Sequence, residues 1–174
     1  ESRRVAPWPM MVEVMAWVVL SGTPRREAPK MTVAALASAA KMRPDRRVIL
    51  SDTGNFPSDL YIAEGLVGLL EQGYALKTVE PEAVAAAIDD TIAVVMLTEV
   101  DYRTGRKHEM KPMTELAHAA GAVMVWDLAH SAGALPVDLA GSNCEFAVGC
   151  TYKYLNGGPG APGFIYVRPD LADA

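Results

Sequence analysis

Residues 91–97, with the sequence Thr-Ile-Ala-Val-Val-Met-Leu, form an unbroken apolar run that is rich in β-branched side chains. Such a run predicts a strand that is buried on both faces, as at the centre of a parallel sheet. A second run of this kind occupies residues 122–126, Ala-Val-Met-Val-Trp. Further short strands are predicted at residues 47–50, 74–79, 145–150 and 164–167.

Helical segments separate these strands. An alanine-rich run over residues 31–41 favours helix. Pro57 opens a helix whose apolar positions repeat on one face and which Gly73 closes, and shorter helices are predicted at 82–88 and 113–120. Strands that alternate with helices predict an α/β fold of three layers, in which helices cover both faces of a mostly parallel sheet.

Composition excludes several classes of protein. The 174 residues are 51% apolar and 21% charged, which argues against disorder and against a disulfide scaffold. A net charge of −5 gives the whole chain no electrostatic footprint for nucleic acid or an acidic membrane. Cys144 and Cys150 are interpreted as buried thiols, and no apolar stretch is long enough to span a bilayer, so we expect a cytoplasmic protein.

Polar residues directly follow the predicted strands. Because ligands of open α/β sheets bind beyond the carboxyl ends of the strands, these residues are expected to cluster in space. They are Ser51 to Asn55, Thr98 and Glu99, Asp127 to Ser131, and Thr151 to Asn156.

Asp127 ends an apolar strand within the sequence Val-Met-Val-Trp-Asp-Leu-Ala-His-Ser. It is either the N-cap of a following helix or an anion that awaits a cation in the cleft. A hydrolytic triad of Asp127, His130 and Ser131 is disfavoured, because such close neighbours rarely aim at one another. A metal site is disfavoured as well, since the only other candidate ligand, Glu99, is expected to be exposed; no metal is predicted.

Lys153 lies between two tyrosines and precedes Gly157-Gly158-Pro159-Gly160. Together with Gly163, these glycines spell a dinucleotide fingerprint only formally, because residues 158–163 contain two prolines and lead into a strand. Lys153 together with Asp127 is a more specific signal. Pyridoxal 5′-phosphate (PLP) needs a lysine for a Schiff base and a carboxylate for its ring nitrogen. Phe56, Thr98 and Tyr152 are placed to complete such a site.

Three segments of this sequence resemble the kynureninase family, which belongs to the class V, fold-type I PLP enzymes. They are residues 51–65 (SDTGNFPSDLYIAEG), 126–134 (WDLAHSAGA) and 151–160 (TYKYLNGGPG). The resemblance implies hydrolysis of L-kynurenine or 3-hydroxykynurenine to L-alanine and anthranilate or 3-hydroxyanthranilate, in tryptophan catabolism and NAD biosynthesis. It also implies a homodimer.

The resemblance assigns roles to individual residues. Lys153 would carry the Schiff base and move protons, and Tyr152 would contact the phosphate and assist proton delivery. Asp127 would pair with the ring nitrogen, with His130 beside it. Phe56 would stack on the ring, and Pro57, Ser58, Asp59 and Thr98 would complete the cofactor pocket.

The domain organisation follows from where the motifs lie. Residues 1–43, with seven basic and three acidic residues, are expected to form a divergent, partly helical segment. Residues 44–174 would be part of a PLP-binding large domain, so the chain is interpreted as a piece of a longer enzyme. Two alternatives stay open: a catalytically inactive fragment, and another class V PLP enzyme such as a cysteine desulfurase-like lyase.

Overall fold

The computed structural model describes residues 28–172, so the expectations for residues 1–27 lie outside the described part of the chain. Four α-helices and six strands occupy this range; they alternate as far as β4, after which β5 and β6 follow without an intervening helix. In chain order they are α1 (Ala28–Lys41), β1 (Val48–Asp52), α2 (Pro57–Leu70), β2 (Ala75–Val79), α3 (Val84–Ala87), β3 (Ile92–Thr98), α4 (Met110–Ala119), β4 (Val123–Asp127), β5 (Phe146–Cys150) and β6 (Gly163–Val167).

The six strands form one sheet in the order β2-β1-β3-β4-β5-β6. Every neighbouring pair is parallel except β5 and β6, which run antiparallel. A parallel partner needs a crossover, usually a helix, whereas residues 151–162 join β5 to β6 without one. The mostly parallel sheet that the sequence predicts is therefore confirmed, with a reversed strand at one edge.

Two apolar cores lie on opposite faces of the sheet. Val94 and Met96 of β3 pack with buried residues of α1 and α2, whereas Val95 and Leu97 face the side of α3 and α4. All seven residues of β3 are buried, which confirms the prediction of a strand covered on both faces. The layers are therefore helix, sheet and helix.

Some element boundaries differ from the sequence-based expectation. Strand β1 continues through Ser51 and Asp52, because both residues stay in backbone register with β2; the Ser51 hydroxyl also donates to the Met96 carbonyl of β3 (2.7 Å). The helix predicted at 82–88 is a 3₁₀ turn at Pro81–Ala83 followed by the single turn α3. Within residues 28–172, no helix is long and apolar enough to cross a membrane.

Candidate functional site

The carboxyl ends of β1, β3, β4 and β5 meet at one edge of the sheet, beside a cleft of about 100 Å³. We call it the strand-end cleft. Its lining combines hydroxyl, carboxyl, thiol, amine and aromatic groups. The lining residues are Thr32, Phe56, Ser58, Asp59, Ile62, Asp127, Ala129, Val148, Gly149, Cys150, Tyr152 and Lys153.

Lys153 follows β5 and brings an amine into this cleft. Its Nζ lies 2.7 Å from Nε2 of His130, although 23 residues separate the two in the chain. The same nitrogen lies 5.4 Å from the ring centroid of Phe56 and 5.6 Å from that of Tyr152. The predicted clustering of polar residues at the strand ends is therefore confirmed for Lys153 and His130.

A close approach of two backbones sets the Lys153–His130 contact. Gly133 has φ of +86°, and a Cβ there would lie only 2.6 Å from the carbonyl oxygen of Tyr154. A side chain at this position would be strained by its backbone angle and blocked by the neighbouring loop. The glycine thus lets the loop that carries His130 pass directly against the loop that carries Lys153.

Asp127, at the end of β4, presents a buried carboxylate to the cleft. Oδ1 accepts a hydrogen bond from the backbone N–H of Ala129 (2.9 Å), and Oδ2 accepts one from the hydroxyl of Thr98 (3.4 Å). Burial raises the pKa of the Asp127 carboxyl, and the Ala129 N–H and the charge of Lys153 oppose that rise. No helix begins at Asp127 in the described chain, so the interpretation as a helix N-cap is wrong.

Asp59, in the first turn of α2, forms a carboxyl pair with Asp127. Burial, and then the charge of Asp127, raise the pKa of Asp59 to about 8, and the two side chains share a hydrogen bond. Two carboxylates this close in a desolvated site disfavour double ionisation, so one proton is held between them near neutral pH. Asp59 was expected in the site from the resemblance, but its pairing with Asp127 has no signal in the sequence.

The other predicted site residues surround this centre. Phe56 directly precedes α2, and its ring centroid lies 5.9 Å from that of His130. Pro57 is the first residue of α2, and Ser58 after it lines the cleft. The Tyr152 side chain is half exposed at the cleft, where burial and then the Cys150 thiol raise the pKa of its hydroxyl.

Glu99 differs from its expectation. It was predicted to be exposed, but it is only 2% exposed, and burial raises the pKa of its carboxyl while the Ser131 hydroxyl opposes the rise. Its backbone is tied on both sides, since its N–H donates to the Asp127 carbonyl (3.0 Å) and its carbonyl accepts from the N–H of His108 (2.9 Å). Ser131 is fully buried and His130 contacts Lys153 instead, which is consistent with rejecting a triad.

Tyr102 was not predicted as a site residue, because residues 101–105 have the sequence pattern of a turn. Its ring nevertheless lies 5.0 Å from the Phe56 ring and 6.0 Å from the His130 ring. An aromatic residue in a turn that follows a strand end is the one signal that could have drawn attention to it.

The chemistry of this donor set restricts what it can hold. An amine beside a pair of buried carboxyls suits a planar ligand with a carbonyl for the amine and a ring nitrogen that can take up a proton. An aromatic ring, Phe56, lies beside the amine and lines the same cleft as the carboxyls. Among residues 28–172, no group of three or more His, Cys, Asp and Glu side chains could hold a metal ion.

Comparison with known proteins agrees with this fold. The family model for "Aminotransferase class-V" matches residues 68–174. The kynureninase of Pseudomonas fluorescens is 54% identical over 157 residues, which are 90% of this chain and 38% of that protein. The kynureninase of Burkholderia mallei (strain SAVP1) is 53% identical over 139 residues, 79% of this chain and 33% of that protein. The chain thus spans between a third and two fifths of the length of these curated relatives.

The longer of these alignments also bears on the first residues of the chain. A match of 157 residues is longer than the segment after residue 43, so it reaches into the part expected to be divergent. The division of the chain at residue 43 stays a prediction.

Solved structures share the fold at lower identity. An alanine–glyoxylate aminotransferase from Nostoc sp. superposes with a TM-score of 0.67 at 21% identity, over 89% of this chain and 40% of that one. A cysteine desulfurase from Thermococcus onnurineus NA1 gives 0.67 at 21% identity, over 85% and 38%. These likenesses show the fold alone. The family model, in contrast, covers more than half of the residues, and it shows that the chain belongs to the aminotransferase class-V family.

Proposed function

We propose that this chain forms the cofactor-binding part of a PLP-dependent enzyme that hydrolyses L-kynurenine, or 3-hydroxykynurenine, to L-alanine and anthranilate or its 3-hydroxy derivative. The observation that carries the proposal is the Lys153 amine beside His130, in a cleft whose lining includes the buried pair of Asp59 and Asp127. Identity of 53–54% to two kynureninases supports this choice of substrate.

The donor set fits PLP on its own chemistry. Lys153 supplies the amine that would hold the cofactor, and Asp127 supplies the carboxylate for the protonated ring nitrogen. Asp127 is desolvated, and a cationic ring is the partner that would offset this burial. Phe56 supplies an aromatic face, while Tyr152 and Ser58 supply hydroxyls at the cleft. When bound, PLP supplies an electron sink for the bond-breaking steps.

The protein's own residues then have distinct tasks. Lys153 supplies the base that takes up and returns a proton, since its amine reaches the cleft at the end of a flexible stem. His130 accepts a hydrogen bond at Nε2 from Lys153 Nζ and fixes the position of that amine. Asp127 and Asp59 hold one proton between them, because their burial opposes the ionisation of both carboxyls. This proton is available beside the position proposed for the ring nitrogen.

A titration with PLP tests the proposal. The full chain is expected to gain the visible absorption band of PLP condensed with a lysine, and Lys153→Ala is expected to lose it. Lys107→Ala, which removes a lysine paired with the exposed Glu109, is the matched control and should keep the band. Appearance of anthranilate fluorescence from kynurenine then tests turnover.

Each alternative predicts a different result in the same experiment. A band that persists in Lys153→Ala, or no band in the full chain, would overturn the proposed cofactor site and favour an inactive fragment. A Lys153-dependent band with sulfide release from cysteine and no anthranilate would favour a desulfurase. We also propose a homodimer in the cytoplasm, which sedimentation of the PLP-loaded protein and fractionation of the source cells would check.

A further inference from the structure

A rigid turn stands beside the strand-end cleft and displays an aromatic residue. Residues 101–106 form this turn after β3, and the N–H of Asp101 donates to the carbonyl of Arg106 (2.8 Å). The Tyr102 ring lies at its tip and is 43% exposed. None of the roles assigned so far uses this ring.

The Asp101 carboxylate holds the turn in one shape. Oδ1 accepts hydrogen bonds from the backbone N–H groups of Arg103 (2.7 Å) and Thr104 (3.2 Å). Burial of Asp101 raises the pKa of its carboxyl, but these two N–H groups and the Arg103 charge outweigh the effect, so its pKa is lowered overall. Gly105 closes the turn with φ of +70°, and its N–H donates to the Asp101 carbonyl (2.9 Å).

This turn places the Tyr102 ring against the centre of the site. Tyr102 stacks on His130 with an interplanar angle of 29° and meets Phe56 edge-on at 74°. His130 and Phe56 both contact the Lys153 amine, so a single ring separates Tyr102 from that nitrogen. An aromatic surface therefore extends from Lys153 outward to solvent.

A cation borders the same surface. The guanidinium of Arg103 lies 5.6 Å from the Tyr102 ring centroid, and its side chain is more than half exposed. A planar cation next to an open aromatic ring suits a ligand that is both aromatic and anionic.

We propose that Tyr102 is a specificity-determining residue that binds the aryl ring of the substrate and of the aromatic acid released from it. This inference rests on the proposed function, since it concerns the same site. In kynurenine, the aryl ring is separated from the α-carbon by one methylene and one carbonyl group. A substrate whose α-carbon is held at Lys153 therefore carries its ring a few bonds outward, toward the aromatic surface that ends in Tyr102.

Binding of anthranilate to the PLP-loaded full chain tests this inference, by saturation-transfer NMR or by anthranilate anisotropy. Aromatic pairs contribute about 0.5–1.5 kcal/mol, so Tyr102→Leu is expected to weaken anthranilate binding about twofold to tenfold. Tyr102→Phe keeps the ring and is expected to bind like the parent chain. Tyr61→Leu is the matched control, because it removes an exposed tyrosine of α2 that makes none of the ring contacts of Tyr102 with Phe56 and His130.

A comparison of ligands separates ring stacking from simple occupancy. Cyclohexanecarboxylate has similar size and charge but no aromatic ring, so its affinity should change less than that of anthranilate in Tyr102→Leu. Nuclear Overhauser contacts between anthranilate and the Tyr102 ring in the unmutated chain give a second readout that does not depend on the folding of a variant.

Failure of this inference is distinguishable from failure of the proposed function. If the full chain shows no Lys153-dependent PLP band, the proposed function is overturned, independently of any result for Tyr102. With that band intact, the inference is overturned if anthranilate does not bind saturably, if Tyr102→Leu leaves its affinity unchanged, or if both ligands lose affinity equally. Equal loss would mean that Tyr102 only supports His130.

Discussion

The Nζ of Lys153 lies 2.7 Å from Nε2 of His130, and this contact decides the protonation state of the imidazole. A lysine ammonium can only donate, so Nε2 must accept and the ring proton of neutral His130 sits on Nδ1. Burial, and then the positive charge of Lys153, lower the pKa of His130. At neutral pH the imidazole is therefore an uncharged acceptor that orients the amine.

His130 is expected to titrate below the ordinary histidine pKa of about 6.5. Lys153→Met should raise its pKa, because the repelling charge is gone, yet leave it below the ordinary value, because burial is the larger cause. NMR titration of the His130 ring resonances in both proteins measures this. A pKa that stays the same or falls in Lys153→Met would contradict the role assigned to the ammonium group.

Asp59 makes the stability of the cofactor-free chain depend on pH. Its pKa of about 8 in the folded state exceeds the ordinary value of 3.8, so the folded state holds a proton that the unfolded state has released. The free energy of unfolding should therefore fall as pH rises from about 4 to about 8. The stabilising effect of this proton is complete below that range and absent above it.

Asp59→Asn removes the titrating carboxyl and should flatten this dependence. At pH 8 we expect the variant to be more stable than the parent chain, since it places no buried carboxylate beside Asp127. Urea unfolding at several pH values provides the measurement. Asp45→Asn removes an exposed carboxylate as a control; an equal flattening there would show that burial of Asp59 is not the cause.

Asp127→Asn should weaken PLP binding about tenfold or more. A buried carboxylate that bonds a cationic ring nitrogen contributes about 1.5–3 kcal/mol, whereas an amide cannot offer the charge. Thr98→Val, which removes only the hydroxyl donor to Asp127, should have a smaller effect. Titration of the visible PLP band compares the two variants, and equal losses would be evidence against a special role for the charge.

Alanine substitution at two glycines, one in a crowded and one in an open position, tests how tightly the fold is packed. A Cβ at Gly149 in β5 would lie 2.5 Å from Cζ of Phe164, so Gly149→Ala should lower the free energy of unfolding by about 1–3 kcal/mol. Gly65, inside α2, has no heavy atom within 4 Å of such a Cβ. Gly65→Ala should therefore stabilise the chain by about 0.5–1 kcal/mol, as alanine does inside helices.

Urea unfolding of both alanine variants tests these opposite signs. Destabilisation by Gly65→Ala would mean that a neighbour outside the described residues covers this face of α2. An unchanged stability for Gly149→Ala would show that the Phe164 ring can move aside.

The local sequence determined the elements of this fold and the identity of its reactive groups. Apolar runs such as 92–97 encode a strand covered on both faces, because no polar side chain in them could face water. The segments around Lys153, Asp127 and Phe56 carry a resemblance specific enough to identify the family. Element boundaries were harder to predict: β1 extends beyond its apolar run through Ser51 and Asp52, because these residues pair with another strand, β2.

Only the tertiary structure decided which of these groups meet. The pairing of Asp59 with Asp127, the burial of Glu99 and the stacking of Tyr102 on His130 each join segments that are far apart in the chain. Strand order and loop packing decide which of these segments come together, and neither can be predicted from the periodicity of a single segment. Desolvation, which raises the pKa of the carboxyl pair, likewise exists only once the sheet and α2 close around it.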